Sequence, residues 1–339
     1  MVENHENELK QLKEQLSQMD IHEVRRLLHQ TDKENQPRRY NLLKDHLYNM
    51  EEIREGLQGR KQTPPQKYPA LGNALLLLLL LIVIQLGVTS TAQWLLSRAG
   101  VAISNTIDLV VAGVANLLAF AAVILYGLRK TDTGNGTALF AHSFSPYTII
   151  PVLVSVAGLS IIGSEIDNLI RHLLPPPEAI QRIMQDMADA GPAGMFTLVV
   201  VAPFTEELLF RGLFLRGFER NYGRKGAIFT AALLFALIHL NPYQMIPAFL
   251  AGLFLGWITL GSGSVWPAII AHAATNGMLL FVTWLNPDIP GVIHREQLEY
   301  HPLWLDAAGV VLLVAGILWL GKEFHGEERV GKSHFVDTP

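Results

Sequence analysis

The chain has 339 residues, no cysteine and a formal net charge of −4, and 50% of its residues are apolar while 17% are charged. Without cysteine, the protein can form no disulfide and can use no thiolate chemistry. A net charge this close to neutral gives no reason to expect a nucleic-acid partner.

The first 69 residues are polar and charged, and their apolar residues recur at helical spacing. A heptad-like series is followed by a second apolar stripe: Leu9, Leu12, Leu16, Met19, Ile21, Val24, Leu27 and Leu28. This pattern predicts two or three short amphipathic helices, interrupted at Pro37 and followed by a linker over residues 59–69. We interpret residues 1–69 as a cytoplasmic helical region, with docking or self-association through residues 1–60 as an alternative.

Long apolar runs begin after this region. A bilayer core of about 30 Å requires roughly 20 apolar residues of helix. Eight runs are candidates, at residues 70–96, 101–128, 146–164, 192–213, 226–241, 243–260, 264–284 and 303–321. We therefore predict an all-α, polytopic membrane helix bundle with about eight transmembrane helices over residues 70–321 and a cytoplasmic tail over residues 322–339.

The positions of lysine and arginine predict the orientation, because cytoplasmic loops carry the excess of both. Placing the amino terminus inside leaves only four basic residues for the outer loops, namely Arg98, Arg171, Arg182 and Arg295. Both termini are then cytoplasmic, and the protein is an integral, multi-pass membrane protein.

The fourth run contains three charged residues, Glu206, Glu207 and Arg211. A charge at the centre of a membrane helix costs about 3 kcal/mol or more, so it is normally paired or functional. Glu207 and Arg211 are four residues apart in the order that favours a helical ion pair. Glu206 points about 100° away from Glu207 around the helix and requires a different partner.

Polar residues in two later runs are the candidate partners. Phe235 and His239 lie four residues apart in the fifth run, and His272 and Asn276 lie four apart in the seventh. A single membrane histidine is often only a helix contact. Carboxylate, imidazole and amide groups on several apolar helices together indicate one inward-facing polar site.

These residues resemble the motifs of the CPBP intramembrane proteases, which include the type II CAAX prenyl endopeptidases and the bacterial Abi-like proteins. Glu206, Glu207 and Arg211 match the first motif, and Phe235 with His239 matches the second. His272 with Asn276 matches the third. The motifs occur in the family's order within residues 192–284, and the resemblance does not include residues 1–69.

The resemblance implies that the protein hydrolyses a peptide bond of a membrane-associated protein or peptide within the bilayer. Hydrolysis requires an activated water and donors to the oxyanion. Glu206 and His239 are the expected groups that activate the water, and His272 and Asn276 are the expected oxyanion donors. Glu207, Arg211 and Phe235 are expected to support them.

The cofactor requirement has two alternatives. Glu206, His239 and His272 could bind zinc, leaving the fourth position for water, and the family is often labelled a metalloprotease. However, Glu206 as a ligand leaves no general base, because Glu207 points towards Arg211. We therefore favour a water activated by glutamate without a metal.

Two other function classes remain alternatives. Intramembrane glutamate and histidine also occur in proton-coupled transporters, although no inverted repeat is evident in the sequence. A catalytically inactive membrane binding or immunity protein could keep the same residues as structure. The sequence does not identify the substrate or indicate whether it is prenylated.

Overall fold

A computed structural model of the protein describes residues 11–57, 67–131, 144–182, 191–292 and 299–333, apart from residues 13, 14, 17, 103, 179 and 286. The chain divides into two compact units, Met1–Gln66 and Lys67–Pro339. The described part is helical and contains no strand, which confirms the predicted all-α class. Leu9 and most of the predicted linker, residues 59–66, lie outside the described residues.

The first unit contains helix α1 (Ile21–Gln30) and helix α2 (Pro37–Leu57). Helix α1 begins with a capping box, because Asp20 Oδ1 accepts the backbone N–H of Glu23 at 2.8 Å and Glu23 Oε2 accepts that of Asp20 at 3.0 Å. A small apolar core lies between its helical segments: Leu12, Leu16, Val24, Leu43 and Leu47. The leucines of the heptad-like series that are described here therefore pack inside this unit.

Among its described residues, the second unit contains six segments that are long and apolar enough to cross a membrane, as expected for an integral multi-pass membrane protein. They are Leu71–Arg98, Val110–Lys130, Pro146–Leu173, Pro242–Ser262, Trp266–Leu285 and Leu303–Phe324. The corresponding helices are α3 (Leu71–Arg98), α4 (Asn105–Lys130), α5 (Ile149–Leu173), α9 (Pro242–Ser262), α10 (Trp266–Leu285) and α11 (Leu303–Ser333). These six segments correspond to six of the eight predicted spans.

The other two predicted spans, residues 192–213 and 226–241, fall in a helical segment that changes its winding several times. It comprises α6 (Gly191–Phe196), a π-helix (Thr197–Val201), α7 (Ala202–Glu207), a second π-helix (Leu208–Phe214) and α8 (Leu215–Leu237). Helix α8 turns at Gly223, which has φ 71° and ψ 172°. The count of eight stays a prediction, because these shorter and more charged pieces are not among the six apolar segments.

Close helix packing depends on glycine in two places. A Cβ at Gly158 in α5 would collide with the backbone of Gly309 and Leu313 in α11, so these two helices approach at backbone distance. A Cβ at Gly252 in α9 would lie 3.0 Å from Cα and Cβ of Ala232 in α8. The second contact brings the backbone of α9 next to the charged segment.

Aromatic packing holds the second π-helix in the core of this unit. Phe210, Phe214 and Phe218 are fully buried. The Phe210 ring packs edge-on against Phe214 at 5.4 Å and against Phe235 of α8 at 5.2 Å. These contacts fix the segment that follows the two glutamates.

Candidate active site

Glu207 and Arg211 form an ion pair that is completely buried. Glu207 Oε1 lies 2.9 Å from a terminal nitrogen of Arg211, and both side chains are 0% exposed. Arg211 also donates to the carbonyl of Gly252 at 3.2 Å, and its guanidinium lies 4.5 Å from the ring centre of Phe235. The arginine thus joins the glutamate helix to α8 and α9, and the predicted helical pair is present.

His272 lies between the two glutamates. Its Nδ1 is 2.9 Å from Glu207 Oε1, and its Nε2 is 4.0 Å from Glu206 Oε2. Both contacts of Glu207 are made by Oε1, and because its side chain is 0% exposed, Glu207 is not accessible to a substrate. The Nδ1 contact leaves His272 Nε2 directed at Glu206.

Glu206 differs from Glu207 in its environment. Its side chain is 18% exposed, and Oε2 is buried without a hydrogen-bond partner among the described residues. A separation of 4.0 Å from His272 Nε2 is too long for a direct hydrogen bond, and a bridging water commonly occupies such a gap. Glu206 is therefore the carboxylate of this pair that can reach a small reactant.

His239 is held beside the same aromatic ring as His272. His239 Nδ1 lies 2.8 Å from the carbonyl of Phe235, one helical turn away. The Phe235 ring packs edge-on against His239 at 5.2 Å and against His272 at 5.6 Å. Phe235 thus separates the two imidazoles, and each histidine has Nδ1 engaged and Nε2 remaining.

Asn276 lies one turn after His272 and contacts the first π-helix. Its Nδ2 donates to the carbonyl of Leu198 at 2.8 Å. An amide nitrogen carries two hydrogens, so a second donor remains. The structure therefore connects Asn276 with the segment before the glutamates.

Two residues near the site were not predicted from the sequence. Asn116 of α4 lies 3.4 Å from the hydroxyl of Thr205, the residue before Glu206. Gly252 accepts from Arg211, and the spacing of Gly252 and Gly256 is the small-residue pattern that permits close helix packing. That spacing is the signal that could have identified Gly252, whereas no pattern distinguishes Asn116.

The residue types at this site suit a metal, but their atoms do not converge. In each histidine, the engaged Nδ1 orients the ring and leaves Nε2 as a ligand, as in many metal sites. Within the described part of the chain, three ligand atoms come within 4.8 Å of one another only at Glu165, His301 and Asp306. Glu206, His239 and His272 form no such group.

The cluster of glutamates and histidines lies in a unit whose described residues include six segments apolar enough to cross a membrane, as in a multi-pass membrane protein. Residues 189–278 match the family model described as Type II CAAX prenyl endopeptidase Rce1-like. This match confirms the resemblance to the CPBP family over the segment that contains all three motifs. It supports an intramembrane endopeptidase in general and does not favour a transporter or an inactive binding protein. Neither the curated proteins nor the solved structures gave a significant match.

Proposed function

We propose that the protein is an intramembrane endopeptidase that hydrolyses a peptide bond of a membrane-associated protein or peptide with a water activated at Glu206. The observation that carries this proposal is the contrast between the two glutamates. The Glu207 side chain is 0% exposed, and its Oε1 contacts both Arg211 and His272, whereas the Glu206 side chain is 18% exposed and faces His272 Nε2 at 4.0 Å.

In this mechanism Glu206 removes a proton from the water as the oxygen attacks the substrate carbonyl, and it returns that proton to the leaving amine nitrogen as the C–N bond breaks. A carboxylate that is largely withdrawn from solvent is a stronger base than one in water. His239 Nε2 faces no described partner, so it can orient the same water or accept its second hydrogen. Glu206 and His239 together act as the general base.

His272 has a role that depends on its protonation. When Nδ1 donates to Glu207, the neutral ring has its lone pair on Nε2 and orients the water. When the ring carries a proton on both nitrogens before the attack, Glu207 stabilises the charge and Nε2 donates to the oxyanion. A nucleophile is commonly activated by an adjacent base that a third group orients, and here Glu207 orients His272 beside the water.

Asn276 is the proposed donor to the oxyanion. One hydrogen of Nδ2 binds Leu198, which fixes the direction of the amide, and the other is free to reach the developing charge. Preorganised donors of this kind act mainly in the transition state. Arg211 binds the carboxylate of Glu207, and that carboxylate orients His272.

We favour this mechanism without a metal, with zinc as the alternative. Zinc would use Glu206, His239 and His272 as ligands and would supply a water of lowered pKa. Two observations support the mechanism without a metal. The three ligand atoms do not converge within 4.8 Å, and Glu207, as the remaining carboxylate, is engaged by Arg211 and His272.

The main test compares cleaved protein termini in cells that contain the active protein and the Glu206→Gln variant. We expect a set of membrane-associated substrates whose new termini disappear in the variant. Glu219→Gln is the matched control, since it makes the same change in the helix that follows. Equal termini with Glu206→Gln and with the unchanged protein would refute the assignment.

The metal requirement is tested on purified protein with a substrate identified in this way. We expect activity to survive prolonged chelation. Activity that is lost on chelation and restored by zinc alone would overturn the choice of mechanism while leaving the protease assignment intact. The measurement is repeated with Glu165→Gln, so that an ion bound elsewhere in the protein does not affect the result.

A further inference from the structure

A second polar cluster lies at the ends of α5 and α11, and the proposed reaction does not use it. Glu165 belongs to the last part of α5, His301 precedes α11 by two residues, and Asp306 lies in the first turn of α11. One ligand atom from each of these side chains lies within 4.8 Å of the others. Two carboxylates and one imidazole therefore converge on one point.

The atoms of this cluster are arranged around one ring nitrogen. His301 Nδ1 lies 3.0 Å from Asp306 Oδ1 and 3.6 Å from Glu165 Oε2. The same Glu165 oxygen accepts the backbone N–H of His301 at 3.0 Å. These contacts hold both carboxylates on the Nδ1 side of the imidazole.

The side chains of this cluster differ in their exposure. The His301 side chain is 1% exposed, whereas the side chains of Glu165 and Asp306 are 24% and 25% exposed. A cation from solvent can therefore reach the carboxylates and then Nδ1 without passing through the protein interior. Such a path is one requirement for a metal site.

Asn168 provides an independent observation that indicates a ligand. This residue is completely buried, and its Nδ2 donates to Glu165 Oε2 and to the carbonyl of Gly291, both at 2.9 Å. Its Oδ1 is buried without a hydrogen-bond partner among the described residues. Since a buried amide oxygen normally has a partner, an oxygen-seeking cation beside Glu165 would explain its position.

We propose that Glu165, His301 and Asp306 bind a first-row divalent metal ion, beside the buried Asn168 amide whose Nδ2 donates to Glu165 Oε2. Carboxylate and amide oxygens alone would suit Mg²⁺ or Ca²⁺, whereas the imidazole selects ions such as Zn²⁺. Metal binding at Nδ1 moves the ring proton to Nε2, which has no described acceptor. Because this orienting contact is missing, we expect an affinity roughly 10- to 100-fold weaker than in a fully supported site.

A metal at this point would connect the start of α11 to the end of α5. The same two helices already approach at backbone distance through Gly158. The ion would therefore fasten one end of this helix pair. Its binding is expected to stabilise the protein in proportion to the concentration of free metal.

The test uses the full-length protein in detergent, titrated calorimetrically with Zn²⁺ after chelation. We expect one saturable site in the unchanged protein, weakened at least about tenfold in the Glu165→Gln/Asp306→Asn double variant. His272→Ala is the matched control, since it removes one histidine of the proposed active site. This variant should bind Zn²⁺ as the unchanged protein does. Loss of binding in His272→Ala instead, or no binding in the unchanged protein, would overturn the proposal.

A second measurement does not depend on any variant. X-ray absorption at the zinc edge of the unchanged protein should show one imidazole nitrogen and otherwise oxygen ligands. Two imidazoles per zinc would place the ion with His239 and His272 and would refute this site. Neither result depends on whether the protein cleaves peptides, so failure here is distinct from failure of the proposed function.

Discussion

The two polar clusters of the second unit use similar side chains in different environments. Around Arg211, the charges of Glu207 and the guanidinium are fully buried and adjacent, and His272 completes the set. Around His301, two carboxylates face one imidazole and are each about a quarter exposed. Charge is compensated within the first cluster, whereas the second has excess acid that only solvent or a cation can compensate.

This difference predicts how each cluster responds to the loss of one member. Removing one partner of a buried ion pair leaves an unpaired charge in a medium that cannot solvate it. Removing one carboxylate from a partly exposed cluster leaves groups that water can still reach.

Arg211→Ala should cause the largest loss of stability, about 3–5 kcal/mol, because it strands Glu207 in a fully buried position. Thermal or denaturant unfolding in detergent measures this change. Cleavage should fall as well, since His272 loses its oriented partner. The exposed Arg220→Ala, a few residues further along the same segment, is the control and should stay near the unchanged protein. Equal stability of both variants would mean that the ion pair contributes nothing.

Asn276→Ala should reduce turnover by about 10²- to 10³-fold with little change in KM, because it removes a donor to the oxyanion. Steady-state kinetics with a cleaved substrate separates the two parameters. Thr275→Ala is the matched control, since its hydroxyl bonds only to the Ala271 carbonyl of its own helix at 2.9 Å. A rise in KM with turnover unchanged would make Asn276 a substrate-binding residue.

Gly252→Ala should destabilise the protein by about 1–3 kcal/mol, because the new Cβ would lie 3.0 Å from Ala232 and push α9 away from Arg211. Unfolding measurements and cleavage assays should both detect the change. Gly163→Ala is the control in α5, where nothing lies within 4 Å of the added atom. Similar results for the two alanines would show that the contact between α8 and α9 adapts easily.

Asp306→Asn, measured in the presence of a chelator, should cost less than about 1 kcal/mol. The reason is that its side chain is 25% exposed, so water replaces part of the lost interaction with His301. Glu178→Gln, which removes an 89% exposed partner of Arg182, serves as the reference for a negligible effect. A loss comparable to that of Arg211→Ala would mean that the two clusters do not differ as described.

The first cluster could be identified from the sequence because its residues lie at helical spacing within apolar runs. Glu207 and Arg211 are four residues apart, as are His272 and Asn276. Such spacing places side chains on one helical face whatever the rest of the fold does. The sequence did not indicate that His272 contacts Glu207 or that Asn276 binds Leu198, since those contacts depend on how separate helices pack.

The second cluster could not be identified in the same way. Glu165 and His301 are separated by 136 positions in the chain, and only the packing of α5 against α11 brings them together. Glu165 by itself looks like a polar residue near the end of a membrane span. The six apolar segments could be predicted from the length and hydropathy of the apolar runs. The changes between α-helix and π-helix over residues 191–237 could not, because they depend on contacts between residues that are distant in the sequence.

The π-helix over Leu208–Phe214 makes this segment tolerant of a change in residue number. A π-turn accommodates one more residue than an α-turn, so a single deletion here would return the backbone to regular winding and leave the helix beyond it in nearly the same orientation relative to Glu206. The α-helical turns between Gly223 and Phe235 hold no extra residue, and a deletion there would rotate everything after it by about 100°. Phe235 would then lose its ring contacts with Phe210 and His272. We therefore expect natural relatives to differ by one residue within Leu208–Phe214 more often than between Gly223 and Phe235.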